Sequence, residues 1–600
     1  MLFGNPSPAQ LRYDATLRHL AANGTIAFVP DKKAPPPGWS LDTSHLNGCV
    51  SCFDEEYRTG LHAKPLLISP GVAVLLLDDQ AIEGVVNIVR LMETPSKRVT
   101  DLRCPGRCNK GGSQEHLKKN HFGMYGSVAY DKGKYRIWLG EWQPYYSESV
   151  EFGPEMYHPL LLSSMDEFPC SSVSIDHPYS SSISDVDGVN WAPLRLMQQF
   201  SPHGWSPRNL CIWRDPHERR PPHVYKMGYH CGNFMAEEST CMATSPDGFK
   251  WQPYNGGSPG TVSSNAKLRA HQIRASCGPG CVSAADTLNC FHHSEADGSY
   301  WVVNRRNFGT EERWREIRGV RLSINRKFLT NFSNFVEKRA WYFDRLGKEE
   351  RFQRQIYSLG ITSLREEGIH LGILTVIEWP KIGSVYESHP LPPYKHDYMS
   401  VYLITSRDGE LFDLSSVYSY NRLIPRGVCS SAVRDHVNWI EASMSGCEFD
   451  HGYVQPASGF VADDKGNHHL YYEGRPVQHE DRWKVPATIA VASWQRHRIT
   501  ALTRRPDASA PCGEIVTRPF VLNGSELLLN ADTSAKGSSM SVDVVSASSG
   551  LSLAKGIVSG NGDSLMVWWE RGQLPSLHGR QVKLRISLCG AAKVYAFTFV

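Results

Sequence analysis

The sequence predicts an all-β protein, a five-bladed β-propeller followed by a C-terminal β-sandwich, and three observations carry that expectation. Long amphipathic helical periodicity is scarce, whereas short alternating runs of Tyr, Trp, Val and Ile bounded by Asp/Gly turns recur along the chain, the pattern of half-buried strands joined by hairpins. One arrangement, strand then charged turn then aromatic strand, returns at Asp131, Asp215, Asp297, Glu366 and Asp464. The intervals run from about 70 to about 100 residues, room for four strands and long loops in each unit. Past Arg504-Arg505-Pro506 the texture changes to Ser/Gly-rich turns between short apolar strands.

In chain order, residues 1–69 show little periodicity and include KKAPPPGWS, and they are expected to form an irregular lead-in segment. Residues 70–505 hold the five repeated units. Within three of them a second hairpin signal follows, DVDGVNW at Asp187, SPDGFKW at Asp247 and SRDGELF at Asp408. Asp-Gly supplies the positive φ of a tight hairpin and the following aromatic can cover it, so these read as outer hairpins. Residues 506–600, with ELLLNAD, SMSVDVVSA, SLMVWWE, QVKLRISL and KVYAFTFV, read as a separate β-sandwich.

Composition narrows the function classes. Of 600 residues, 41% are hydrophobic, 21% charged and 10% aromatic, with 50 Gly and 37 Pro, which excludes a disordered, collagen-like or coiled-coil chain. The net charge is +3 without a long basic run, so no nucleic-acid partner is expected. The apolar stretch from Pro65 to Leu77 is broken by Ser69, Pro70 and Gly71 and falls short of the roughly 20 residues of a membrane span. The amino terminus lacks a signal-peptide pattern, while sequons at Asn23, Asn331 and Asn523 are compatible with an extracellular address. The 15 cysteines include close pairs at Cys49/Cys52, Cys104/Cys108, Cys231/Cys241, Cys277/Cys281 and Cys429/Cys447. The first two have zinc-ligand spacing but lie in Gly/Pro-rich loops where disulfides or free thiols serve as well; no metal or other cofactor is expected.

A family resemblance rests on specific strings: LLLDDQAIE at 75–83, YGSVAYDKGKYRIW at 125–138, VYKMGYH at 224–230, TSPDGFKW at 244–251, ADTLNCFHH at 285–293, FDHGYVQPASGFV at 449–461 and TRPFVLNGSELLLNAD at 517–532. Together they resemble the five-bladed β-propeller glycoside hydrolases, family 32 and its relatives in family 43. The resemblance spans roughly residues 70 to 600 and places 75–83 at the mouth of the propeller. It implies a carbohydrate ligand and cleavage of a glycosidic bond, with furanosides among the candidate substrates, by paired carboxyl groups on the innermost strands.

Those carboxyl groups should lie just before each first hairpin strand. The five positions hold Asn120-His121, Arg208-Asn209, Asp286, Arg354-Gln355 and Asp450-His451. Asp286 and Asp450 are therefore the expected catalytic carboxylates, although an Asp at a strand start also caps backbone amides. Glu141 and Glu378 are candidate acids, each followed by an aromatic, Trp142 and Trp379, able to desolvate the carboxyl and stack on a sugar. Asn120, His121, Arg208, Asn209, Arg354, Gln355 and His451 are expected substrate-binding groups. Arg214-Asp215-Pro216 imitates the transition-state motif of family 32, yet it also reads as a hairpin turn away from the funnel. The family-32 nucleophile motif is absent from the first unit, Cys447-Glu448 reverses its acid motif, and Gln355 stands where an acid is usual, so a propeller that binds glycan or protein without catalysis competes.

Overall fold

The computed structural model describes residues 66–100, 124–131, 134–140, 144–148, 195–196, 208–215, 217–231, 239–253, 274–276, 282–283, 287–294, 298–309, 316–326, 334–341, 343, 354–378, 397–429, 446–485 and 487–600. Among these residues the strands form seven sheets. Five succeed one another along the chain. The first contains Ser127–Asp131, Lys134–Gly140, Pro144–Glu148 and Arg195–Leu196, and the second Arg208–Arg214, Tyr225–Cys231, Ser239–Ser245 and Gln252–Pro253. The third runs through Cys290–His293, Tyr300–Gly309, Glu316–Asn325 and Asn334–Trp341, and the fourth through Arg354–Leu364, Ile369–Glu378 and Tyr398–Ser406. The fifth contains Tyr453–Pro456, His468–Arg475 and Thr488–Trp494. In the first, second, fourth and fifth, the predicted turn residue, Asp131, Asp215, Glu366 or Asp464, stands at the junction of the first two strands; Asp297, expected in the third, lies outside the described residues.

The Asp-Gly turns explain how neighbouring sheets lock. Gly248 has φ +79° and Gly409 φ +75°, a conformation costly for any other residue. Ser245 and Ser406 accept hydrogen bonds from these glycine amides through their hydroxyls. Each turn is covered by a tryptophan of the preceding sheet: Trp138 donates to the Gly248 carbonyl at 2.7 Å, and a Cβ on Gly409 would lie 1.8 Å from the Trp301 ring. Trp251, from the turn's own strand, also donates to the Gly248 carbonyl. The DVDGVNW turn lies outside the described residues.

Apolar clusters join the sheets in a closed ring. The first packs on the second around Trp138, Ile212 and Met227, and the second on the third around Met242, Phe291 and Val302. The third meets the fourth at Leu322, Leu359 and Val376; the fourth meets the fifth at Leu371, Val401 and Leu470. The fifth returns to the first at Val128, Ile137, Tyr471 and Val491. This is a β-propeller, closed by a strand from before its first sheet: Ser96–Val99 pairs along the outer strand of the fifth, Val99 opposite Ala490 and Ser96 opposite Ser493.

Two further sheets make the terminal sandwich. One carries Ile88–Met92, Thr500–Arg504, Lys593–Phe599, Leu527–Asp532 and Asn561–Met566; the other Ile82–Val86, Cys512–Thr517, Gln581–Cys589, Ser539–Ser546, Ser552–Val558 and Trp568–Arg571. Period-two alternation turns Val582, Leu584, Ile586 and Leu588 inward. The linear division into 70–505 and 506–600 is corrected here, because strands from 74–92 and 500–504 hydrogen-bond inside the sandwich. The LLLDDQAIE string is likewise not at the propeller mouth: Asp78 pairs with Arg407, on the turn that ends the fourth sheet's third strand, at 2.7 Å. The physical reason is that a solvated edge strand gains more by completing a sheet than by following chain order.

Disulfides link Cys211 to Cys290, Cys429 to Cys447 and Cys512 to Cys589. The second is one of the close pairs; the other two join residues 79 and 77 positions apart, which spacing alone did not suggest. The lead-in through residue 65 lies outside the described residues.

Candidate functional site

Each sheet of the ring has an end at which its first strand starts, called here the upper end. Tyr125, Cys211, Leu288, Cys290, Tyr357 and Tyr453, from these strands or just before them, meet with Ile377 and Met399 in one buried axial cluster. Its polar element is a chain. Asp397 Oδ2 lies 3.1 Å from His479 Nδ1, His479 Nε2 lies 3.4 Å from the Tyr357 hydroxyl, and the Tyr357 and Tyr125 hydroxyls are hydrogen-bonded to each other. Tyr453 stacks on the His479 ring, and the Arg318 guanidinium lies 5.9 Å over Tyr357. The carboxylate favours the proton on Nδ1 and turns Nε2 toward the phenol, an arrangement able to hold or pass a proton. Sequence reasoning missed Asp397 and His479, whose loops carry no repeat signal; Tyr357 was legible only as the aromatic after Arg354-Gln355.

Beside the axis, the fourth sheet buries Glu378. Antiparallel register sets it directly opposite Arg354 and Tyr398. Arg354 Nη2 approaches one oxygen at 3.1 Å and Arg422 Nη2 the other at 3.0 Å, while Tyr402 and Ser400 donate their hydroxyls. Burial pushes the carboxyl pKa up, but Arg354, Arg422 and Arg426 pull harder and hold it at about 2. The expectation that desolvation would raise this pKa and make Glu378 an acid is thus corrected: its arginine partners outweigh the burial. Arg354 is equally committed, with Tyr420 stacked 4.0 Å beneath it and the Val417 carbonyl accepting at 2.8 Å.

Asp450 sits just before the fifth sheet's first strand, as expected. Its Oδ2 lies 2.7 Å from Lys97 Nζ and accepts the Tyr472 hydroxyl at 2.9 Å. Lys97 belongs to the closing strand and also donates to the Pro425 carbonyl, so ring closure and the Asp450 pair are one construction. Gly427 lies against this carboxylate; a Cβ there would be 2.5 Å from Asp450 Oδ1.

Between the fourth and fifth sheets opens a cleft of about 470 Å³, bounded by Met92, Glu93 and Thr94 on one side and by Tyr420, Arg422, Arg426 and His451 on the other. His451 Nδ1 donates to the Gly427 carbonyl at 2.8 Å, and its ring meets Tyr398 edge-on at 5.8 Å. Cys429, Cys447 and His451 come close enough to suggest a metal cluster, but the two sulfurs are joined to each other and offer no thiolate.

Of the other expected residues, Gln355 is described and does not line this cleft. Gln355 is buried and accepts the Arg318 amide, bracing the third sheet. Arg208 pairs opposite His230 at a strand start in the second sheet. Asn120, His121, Glu141, Trp142, Asp286 and Trp379 lie outside the described residues. Asp215 is buried in the turn between the second sheet's first two strands, 2.7 Å from Lys226 and bonded to Tyr300, far along the strands from the upper end.

No family model and no curated protein matches the chain. Solved structures do. A glycoside hydrolase family 43 arabinoxylan arabinofuranohydrolase from Bacillus subtilis, in complex with cellotetraose, shares 10% identity over 80% of this chain and 96% of its own, at a TM-score of 0.31. A Bombyx mori family 32 β-fructofuranosidase shares 10% identity over 79% of this chain and 90% of its own, at 0.27. An exo-β-1,3-galactanase from Phanerochaete chrysosporium, with galactose, shares 9% over 84% and 99%, at 0.29. The first two belong to the families that the sequence motifs resemble. At these TM-scores the likenesses transfer no site, and the propeller rests on the closed ring of sheets.

Proposed function

We propose that the protein is a glycoside-hydrolase-like propeller that binds carbohydrate at its upper end. The observation that carries this reading is the arginine- and tyrosine-lined cleft beside the start of the fifth sheet's first strand, to which His451 contributes and where Tyr398 backs Arg426. Phenols, imidazole and guanidinium groups match the hydroxyls and apolar faces of sugars. Glycosidic cleavage requires in addition one carboxyl that stays protonated near neutral pH and a second within about 5 to 10 Å. Glu378, with its pKa at about 2, does not meet that requirement, and Asp450 is engaged by Lys97. Among the described residues, recognition without cleavage is therefore the better-supported activity, Glu141 and Asp286 lying outside them.

Hydrolysis is the second reading, favoured by one observation. Asp450 stands just before the fifth sheet's first strand, next to the cleft residue His451, the position the sequence assigns to a catalytic carboxylate. Purified protein assayed for binding and cleavage of furanosides, fructans and arabinan-type oligosaccharides separates the two. Binding without turnover supports recognition. Turnover that falls on the order of a thousandfold in a folded Asp286→Asn or Asp450→Asn variant establishes catalysis. Neither binding nor turnover across the panel removes both.

A further inference from the structure

We propose that the cleft between the fourth and fifth sheets selects an acidic sugar, with Arg426 and Arg422 receiving its carboxylate. The inference rests on the carbohydrate reading above and names the ligand class of one part of that surface.

Charge bookkeeping in the wall of the cleft leads to it. Arg354, Arg422 and Arg426 surround a single carboxylate, Glu378. Its two oxygens are taken by Arg354 and Arg422. Arg426 is left with the face of Tyr398, 4.0 Å from its guanidinium carbon, and one of its nitrogens, Nη1, is buried and makes no hydrogen bond among the described residues. Other acids near the cleft are engaged elsewhere. Glu93 is held by Lys593 at 2.7 Å, and Asp450 by Lys97 at the same distance. Glu448 accepts the Val428 amide. Among the described residues, then, the charge of Arg426 meets no carboxylate of its own. Burial and the adjacent Arg422 also draw its pKa below the usual arginine value, against the opposing pull of Glu378.

The shape of the site selects within anions. A guanidinium presents a planar fork of donors that matches a carboxylate in bidentate fashion. Tyr420 and His451 line the same cleft, and Tyr398 backs Arg426, so aromatic surface and charge adjoin as a sugar carrying a carboxylate requires. A volume of about 470 Å³ has room for more than one sugar ring.

The test compares galacturonate and glucuronate oligosaccharides with their methyl esters by isothermal titration calorimetry, alongside sulfated galactose oligosaccharides. Wild type, Arg426→Ala and Arg426→Lys are measured, with unfolding curves as the check on structure. The acids should bind about tenfold or more tightly than the esters, a preference lost in Arg426→Ala and partly kept in Arg426→Lys. If Arg426→Ala does not fold, weakening of the wild-type acid preference between low and high salt decides. Equal binding of acid and ester, or a preference that survives in folded Arg426→Ala, overturns the inference and leaves the carbohydrate reading standing. Binding of the sulfated probe but not the uronates overturns the carboxylate assignment. No binding of any glycan removes both readings.

Discussion

The junction of the fourth and fifth sheets and the terminal sandwich are both well buried, yet they bury different chemistry. The sandwich core is a continuous cluster of aliphatic and aromatic side chains, among them Leu527, Val542, Leu584 and Phe597. Ion pairs on the second sandwich sheet stay outside: Arg585 lies 3.7 Å from Glu514 and from Asp543 with its side chain 40% exposed. The junction instead encloses Arg354, Glu378 and Asp450, and Lys97 and Arg422 reach in from its edge. Buried ion pairs are often no more stabilising than apolar residues of the same volume, whereas losing one partner is costly. Charge kept in such a place points to a requirement other than stability.

Four measurements break or sharpen that contrast. Arg354→Met leaves Glu378 buried with half of its compensation, and urea denaturation should show a loss of about 3–5 kcal/mol. A loss below about 1 kcal/mol would mean that Arg422 alone satisfies the carboxylate. In the sandwich, Leu584→Ala should cost about 2–5 kcal/mol through the cavity it opens, with glycan binding by the folded protein unchanged. Altered binding there would show that the sandwich core, and not only Met92 and Glu93 at its rim, shapes the cleft.

The third measurement is pH dependence. Burial holds His292 at about 3 and His370 and His468 at about 4, against 6.5 in the unfolded chain. As pH falls below 6.5 the unfolded state takes up protons first, so their contribution is complete above 6.5 and is lost progressively toward pH 4. Glu378, at about 2 against 4.5, adds a further loss below pH 4.5. Asp413, raised by burial from 3.8 to about 6, acts in the opposite direction between those values and offsets part of the effect. Tm should therefore drop on going from pH 7 to pH 4.5; a flat or rising profile would show those imidazoles to be solvated. The smallest effect is expected from Arg585→Ala, under about 1 kcal/mol, because its pairs are long and exposed. A larger loss would erase the distinction between the two regions.

How much of this was legible depended on the range of the interaction. The charged turns at Asp131, Asp215, Glu366 and Asp464 were readable because a hairpin is specified by adjacent residues, and Gly248 and Gly409 occupy the positive φ their Asp-Gly pairs imply. The tryptophans from the preceding sheet that close over those glycines were not, because Trp138 and Gly248 stand 110 residues apart. At the site, the positions of Arg354, Asp450 and His451 at strand starts were anticipated. Their partners were not: Lys97 reaches Asp450 across 353 residues, and Arg422 reaches Glu378 from the loop after the fourth sheet's third strand. A Glu-Trp dipeptide suggested a raised pKa because it reports local burial alone; the guanidiniums that reverse the shift come from elsewhere in the chain.

Alternating apolar residues, turn chemistry and the change of texture after Arg505 determined by themselves that this chain makes β-sheets, how they repeat, and that a sandwich follows. Such signals are short-range, set by backbone φ, side-chain alternation and hairpin geometry. Only the tertiary structure decided that residues 74–92 join the sandwich, that 96–99 close the ring, and that Arg354 and Arg422 meet Glu378 while Arg426 lacks a carboxylate partner among the described residues. Those outcomes are set by which edges meet and which charges share a low-dielectric space, properties of the assembled fold that no local stretch of sequence encodes.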